Sequence, residues 1–184
     1  MEALHMLPSL RSALLVFASL CSVNSAAAAQ PKIGDKLPRV VLGGDLGAKV
    51  DGTPWSSETI KDRTWILFYI SPSHRDENES FKDALNAAKF PHDKVASVAV
   101  INMASSWVPN MIIESSLKKN QQKFPFVTYV KDLHKTLVKE WNLNDDAFDV
   151  VIFDKTGKVL AHYSGEITPK ETEDTLNLIK RTLL

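Results

Sequence analysis

Cysteine is nearly absent from this 184-residue chain, and the one present, Cys21, falls in an apolar N-terminal segment that reads as a removable leader. The chain expected to remain holds no thiol, which excludes disulfides, thiolate nucleophiles and thiolate metal ligands together. An excess of one charge is missing too. The 22 Lys and Arg residues balance 22 Asp and Glu, whereas nucleic-acid-binding domains usually carry a basic excess, so no nucleic-acid partner is expected. Close-spaced metal ligands are lacking as well: His74, His92, His134 and His162 stand apart, with none of the short spacing that puts two imidazoles on one helix face. Asp93, Asp145, Asp146 and Asp149 lack the glycine-centred loop of a calcium hand and read as solvated turns. Neither a metal nor a cofactor is expected. There is no internal repeat, low-complexity tract or second domain.

What is present begins with the leader. Arg11 precedes the short apolar core Ser12–Leu20, and Ala26–Ala29 supply small residues before Gln30. That is the pattern of a secretory signal cleaved after Ala29. The apolar core is too short for a transmembrane helix, so no membrane insertion is expected once the leader is gone. Leu20 stands where a lipoprotein site needs a small residue, which argues against lipidation at Cys21. The organisation expected is a signal peptide over 1–29 and one domain over 30–184, exported to the periplasm. Cleavage removes Glu2 and Arg11, leaving 21 acidic and 21 basic residues out of 22 of each. A body of this length buries about two-thirds of its unfolded surface in one core.

The stretch Thr64–Ser80 organises the rest. Its near-continuous apolar run Trp65–Ile70 predicts a strand covered on both faces, and Ser71-Pro72-Ser73-His74 then leads into helical spacing at Phe81, Ala84, Leu85 and Ala88. Asp76 and Glu79 predict a capping box at that helix start. Val95–Ile101 returns as a second strand, giving a βαβ unit with parallel strands. Upstream, Arg39–Leu42 and Lys49–Gly52, separated by Gly43, Gly44 and Gly47, predict a small N-terminal hairpin, and Thr53–Lys61 a short helical turn. Downstream come a helix over about Met111–Lys123, a strand over Phe126–Val130 and a short helix over Lys135–Trp141. A hairpin then turns through Asp154-Lys155-Thr156-Gly157, before a final helix capped by Thr168-Pro169-Lys170-Glu171.

This order of elements resembles the redoxin branch of the thioredoxin fold, an α/β mixed central sheet flanked by helices with an N-terminal β-hairpin extension. Four segments bring the resemblance closer: Phe90-Pro91-His92-Asp93-Lys94, Glu114–Asn120, Val151–Gly157 and Thr168-Pro169. With them, the chain over 31–184 resembles the YtfJ family of small periplasmic proteins. The resemblance implies fold and compartment, and no reaction or ligand. Against thioredoxins, Ser73 and Asp76 stand where the two reactive cysteines would fall. Ala147-Phe148-Asp149 occupies the approach where a proline normally precedes the penultimate strand.

The site expected is therefore the vacant redox face, with Ser71, Ser73, His74, Arg75, Trp107, Phe148 and Asp149 as contact residues for a periplasmic protein partner. Trp107 sits in the long loop Asn102–Asn110, where core packing is the default for a tryptophan and an exposed one serves as a contact anchor. Backbone N–H groups at the helix start, with Arg75, offer an anion site that the neighbouring Asp76, Glu77 and Glu79 oppose. The competing reading is a thiol-independent hydrolase on Ser73 and His74. It requires the imidazole to meet the hydroxyl and an orienting carboxylate. A thiol oxidoreductase is favoured by fold analogy alone. Asn78-Glu79-Ser80 matches a glycan acceptor, but it opens a helix.

Overall fold

Residues 30–184 are described by the computed structural model, and the leader expected over 1–29 lies outside the described residues. The strands run β1 (Val41–Leu42), β2 (Gly47–Lys49), β3 (Trp55–Ser56), β4 (Thr64–Ile70), β5 (Val95–Asn102), β6 (Val127–Asp132), β7 (Phe148–Phe153) and β8 (Val159–Ser164). The helices are α1 (Glu79–Ala88), α2 (Asn110–Lys123), α3 (Thr136–Trp141) and α4 (Pro169–Thr182). No helix among the described residues is long and apolar enough to cross a membrane.

A six-stranded sheet in the order β2-β6-β5-β4-β7-β8 forms the centre. Strands β4, β5 and β6 are mutually parallel, while β7 runs antiparallel to β4, β8 to β7 and β2 to β6. The apolar run of β4 is continuous because both of its faces are covered. Ile66 and Phe68 meet Phe81 of α1 and Ile179 of α4 on one face, where α2 also packs Ile113 and Leu117 over Ile101. Leu67 and Tyr69 face the other way, onto Leu137 and Trp141 of α3 and onto Leu42 and Trp55. This is the mixed sheet flanked by helices that the sequence predicts, with β4-α1-β5 as its parallel crossover.

The N-terminal strand pair is present with a different second arm. Strand β1 pairs with β3, Val41 opposite Ser56 and Leu42 opposite Trp55. The segment expected to be that arm begins with Lys49, the last residue of β2, which adds to the edge of the main sheet against β6. Gly47 permits this docking: its φ is +134°, and a Cβ there would sit 1.9 Å from the Lys131 carbonyl oxygen, so only glycine lets the two backbones pair. The helical turn expected over Thr53–Lys61 shrinks to a 3-10 turn, Ser57–Thr59, capped by the Ser56 side chain.

Helix ends follow the sequence at α4 and depart from it at α1. Both halves of the Thr168–Glu171 capping box form. At α1 the N-cap is Asn78 in the left-handed region, φ +59°, with no side-chain cap. Asp76 is instead 83% exposed at its side chain, beside Arg75. The Asn78 amide turns inward, where Nδ2 donates to the Gly165 carbonyl at 3.0 Å and Oδ1 accepts from the Ile167 N–H at 2.7 Å. It thereby ties the start of α1 to the β8–α4 loop, and this burial leaves no free amide for a glycan.

Candidate functional site

The C-terminal edge of parallel strands is where open α/β folds gather ligand-binding loops, and here it gathers hydroxyls and carboxylates. Strand β4 delivers Ser71, fully buried, and the 3-10 turn Pro72–His74. Strand β5 leads to Ser105, and the loop before β7 brings Asp146. Ser71 Oγ lies 2.8 Å from Ser73 Oγ and 3.0 Å from Ser105 Oγ. Ser71 and Ser73 both donate to Asp146 Oδ1, at 3.0 and 2.9 Å. His74 completes the cluster: Nδ1 is 2.5 Å from Glu77 Oε1, and Nε2 is 3.3 Å from Asp146 Oδ1. The backbone closes it beneath, where the Ser71 N–H donates to the Ala147 carbonyl at 3.0 Å.

Charge follows from these contacts. The hydrogen bond to Glu77, more than the charges of Glu77 and Asp146, raises the His74 pKa above its ordinary 6.5. The Ser73 and Ser71 hydroxyls, then His74, hold Asp146 below 3.8. With Nδ1 facing Glu77 and Nε2 facing Asp146, both ring nitrogens are directed at carboxylates. Ser73 donates to Asp146, not to the imidazole, so the hydrolase arrangement considered for Ser73 and His74 is not formed. The cluster is an electrostatic clasp between the β4–α1 loop and the loop before β7.

That clasp should be pH-dependent with a definite sign. A raised histidine pKa contributes stability that is fully present below 6.5 and lost as pH rises through the raised value. The Asp146 contribution is present above 3.8 and lost as pH falls through its lowered value. The Tm advantage of the wild type over His74→Gln should be constant just below pH 6.5 and shrink on the alkaline side. Thermal melts across pH check this; an advantage that grows with pH contradicts it.

The other expected site residues divide between surface and core. Trp107 is 93% exposed, and Met111 and Ile112 in the first turn of α2 are 80% and 58% exposed. Arg75 is also exposed, but its guanidinium reaches only the adjacent Asp76, at 3.3 Å, and does not join the cluster. Phe148 and Asp149 were expected at the contact surface and are instead fully buried. The Phe148 ring packs edge-on to Phe68, with centroids 6.0 Å apart. Asp149 binds His162 Nε2 at 3.0 Å and accepts the Asn144 N–H at 2.9 Å. Strand β7 lies between β4 and β8, so its first residues support the site from below. Ser71 is likewise buried and acts through its hydrogen bonds.

Asp146 is the residue missing from the expected site. Its one visible signal is position: it lies just before the strand whose approach carries a proline in thioredoxins. The remaining histidines are dispersed, His92 stacking on Phe126 at 3.8 Å and His162 engaged with Asp149. Among the described residues no group of three or more His, Cys, Asp or Glu is placed to hold a metal ion. Beside the clasp runs an open groove of about 390 Å³, walled by Asp76, Glu77, Glu79 and Glu166 with Phe81 and Ile167.

Residues 44–182 match the YtfJ_HI0045 family, described as a bacterial protein of unknown function. An uncharacterised protein, YtfJ, of Escherichia coli K12 is 26% identical over 133 residues, 70% of this chain and 72% of that one. Among solved structures, a putative thiol:disulfide interchange protein DsbE from Chlorobium tepidum superposes with a TM-score of 0.62 at 18% identity, covering 84% of this chain and 100% of that one. The exposed lipoprotein thioredoxin Etrx1 of Streptococcus pneumoniae gives 0.56 at 17% identity, covering 77% and 99%. At such identities these structures establish the thioredoxin-like fold alone.

Proposed function

Because the chain belongs to the YtfJ family of bacterial proteins of unknown function, its role must come from its own surface, and we propose that it is an exported, thiol-free binding module. Its contact face is the end of the sheet where related folds keep their redox pair. The observation that carries this reading is Trp107, which presents 93% of its surface to solvent two residues beyond Ser105 of the clasp. Exposing a large aromatic side chain forgoes roughly 2–3 kcal/mol of burial, and buried tryptophans are favoured anchors of protein contacts. The clasp beside it supplies rigidity without a nucleophile or base.

Export to the periplasm rests on the leader pattern over 1–29 and on the likeness to a lipoprotein described as exposed. A photo-crosslinking residue at position 107, in cells, should yield a discrete adduct with another protein. The same residue at Phe126, at the opposite end of the sheet, should not. No adduct at 107, or identical adducts at both positions, overturns the reading. Insulin-reduction and peroxidase assays on the purified protein should stay at background, since fold alone does not carry thiol chemistry.

A further inference from the structure

Resting on that reading, we infer that the partner presented to Trp107 is a short apolar protein segment flanked by lysine or arginine. Trp107, Met111 and Ile112 are exposed apolar side chains close together in sequence at the start of α2, while the adjacent Val108 and Ile113 turn inward to the core. The three exposed side chains offer on the order of 400–500 Å², the size of the largest apolar patch on an ordinary soluble monomer and a mark of a binding site.

Charge and area then choose among occupants. Loop 103–109, which carries Trp107, holds no charged residue. The neighbouring loops, 71–78, 133–135, 142–147 and 165–168, hold Asp76, Glu77, Asp145, Asp146 and Glu166 against Arg75, Lys135 and, when it is protonated, His74. Five carboxylates against two fixed cations and one histidine leave this end of the sheet at least two charges negative whether or not His74 is protonated. Asp76, Glu77, Glu79 and Glu166 line the groove beside the clasp with His74; Arg75, His74 and Lys82 pair with the first three, and Glu166 has no ion-pair partner among the described residues. An anionic lipid surface or nucleic acid would meet repulsion here. A second copy would oppose one acidic rim to another, over a patch well below the roughly 800 Å² per partner of a stable interface. A basic-flanked apolar segment suits both features, its apolar side chains on Trp107 and its cations along the groove.

The test titrates purified protein with a short peptide whose Leu-Phe-Leu core is flanked by lysines, and with its glutamate-flanked counterpart. Tryptophan emission reports on the site, since Trp55 and Trp141 are buried, Trp65 is partly buried at the start of β4 at the opposite end of the sheet, and Trp107 is exposed. The lysine peptide should bind at least roughly tenfold tighter than the glutamate one, a difference that added salt diminishes. Trp107→Ala, titrated by calorimetry because the reporter is gone, should lose binding by a similar factor while melting at the wild-type temperature. Equal affinity for the two peptides overturns the assignment, as does a Trp107-dependent blue shift on anionic vesicles with neither peptide bound. A dimer in sedimentation that Trp107→Ala abolishes overturns it in favour of a second copy. Peptide failure alongside a protein adduct at position 107 removes the partner chemistry and leaves the binding-module reading standing. Failure of both removes both.

Discussion

Replacing Asp132 with alanine should destabilise the protein by about 3–5 kcal/mol, the larger of the two strongest effects expected. Asp132 ends β6 fully buried, and its carboxylate organises the turn into α3. Oδ1 accepts the Thr136 N–H at 2.8 Å and the His134 N–H at 3.2 Å. Oδ2 accepts the Leu137 N–H at 3.0 Å and the Tyr69 hydroxyl at 3.3 Å. Burial, before the nearby charge of Asp132, raises the Tyr69 pKa, so the phenol remains a proton donor. Alanine strands the buried Leu137 N–H and Tyr69 hydroxyl away from water, at about 1–3 kcal/mol for each buried group left unpaired, and removes the half-buried bonds to His134 and Thr136 as well. In a chain of this size the Tm should fall by about 10–15 °C. Tyr69→Phe removes one donor without orphaning another and should cost only about 0.5–1.5 kcal/mol. A Tm loss for Asp132→Ala no greater than for Tyr69→Phe contradicts this role.

Asp149→Ala should cost about 2–4 kcal/mol and act on the site itself. Its carboxylate joins His162 on β8 to the Asn144 N–H, two residues before Asp146 of the clasp. Losing it leaves a buried imidazole and a backbone donor unpaired. Amide exchange should therefore quicken over 143–147 well before it does in α4. Uniform acceleration through the chain contradicts a local anchoring role, and unchanged exchange contradicts any role.

Both residues illustrate what the sequence shows and hides. Elements carried by local pattern are legible: the continuous apolar run of β4, the turn at Gly157, and the Thr168–Glu171 box, whose partners lie three residues apart. Features made by distant pairing are not. Asp132 looks like a polar strand end until Tyr69, 63 residues away, donates to it. Asp146 looks like a solvated turn until Ser71, 75 residues away, meets it. The expected Asp76 cap fails for the same reason: Asn78 is claimed by Gly165 and Ile167 across the fold. Phe148 and Asp149 follow directly on the loop that carries Asp146, but their depth is fixed by strands on either side. Trp107 departs in the other direction: core packing is the default for a tryptophan, but an uncharged loop with nothing packed over the ring leaves it exposed.

Hydroxyl-radical footprinting in purified protein and in intact cells tests the binding-face assignment most directly. Trp107 and Met111, 93% and 80% exposed, should oxidise readily in the purified protein. In cells both should be protected, while Phe126, 65% exposed at the opposite end, oxidises alike in the two preparations. Equal oxidation of Trp107 in cells and in isolation would contradict a partner on this face.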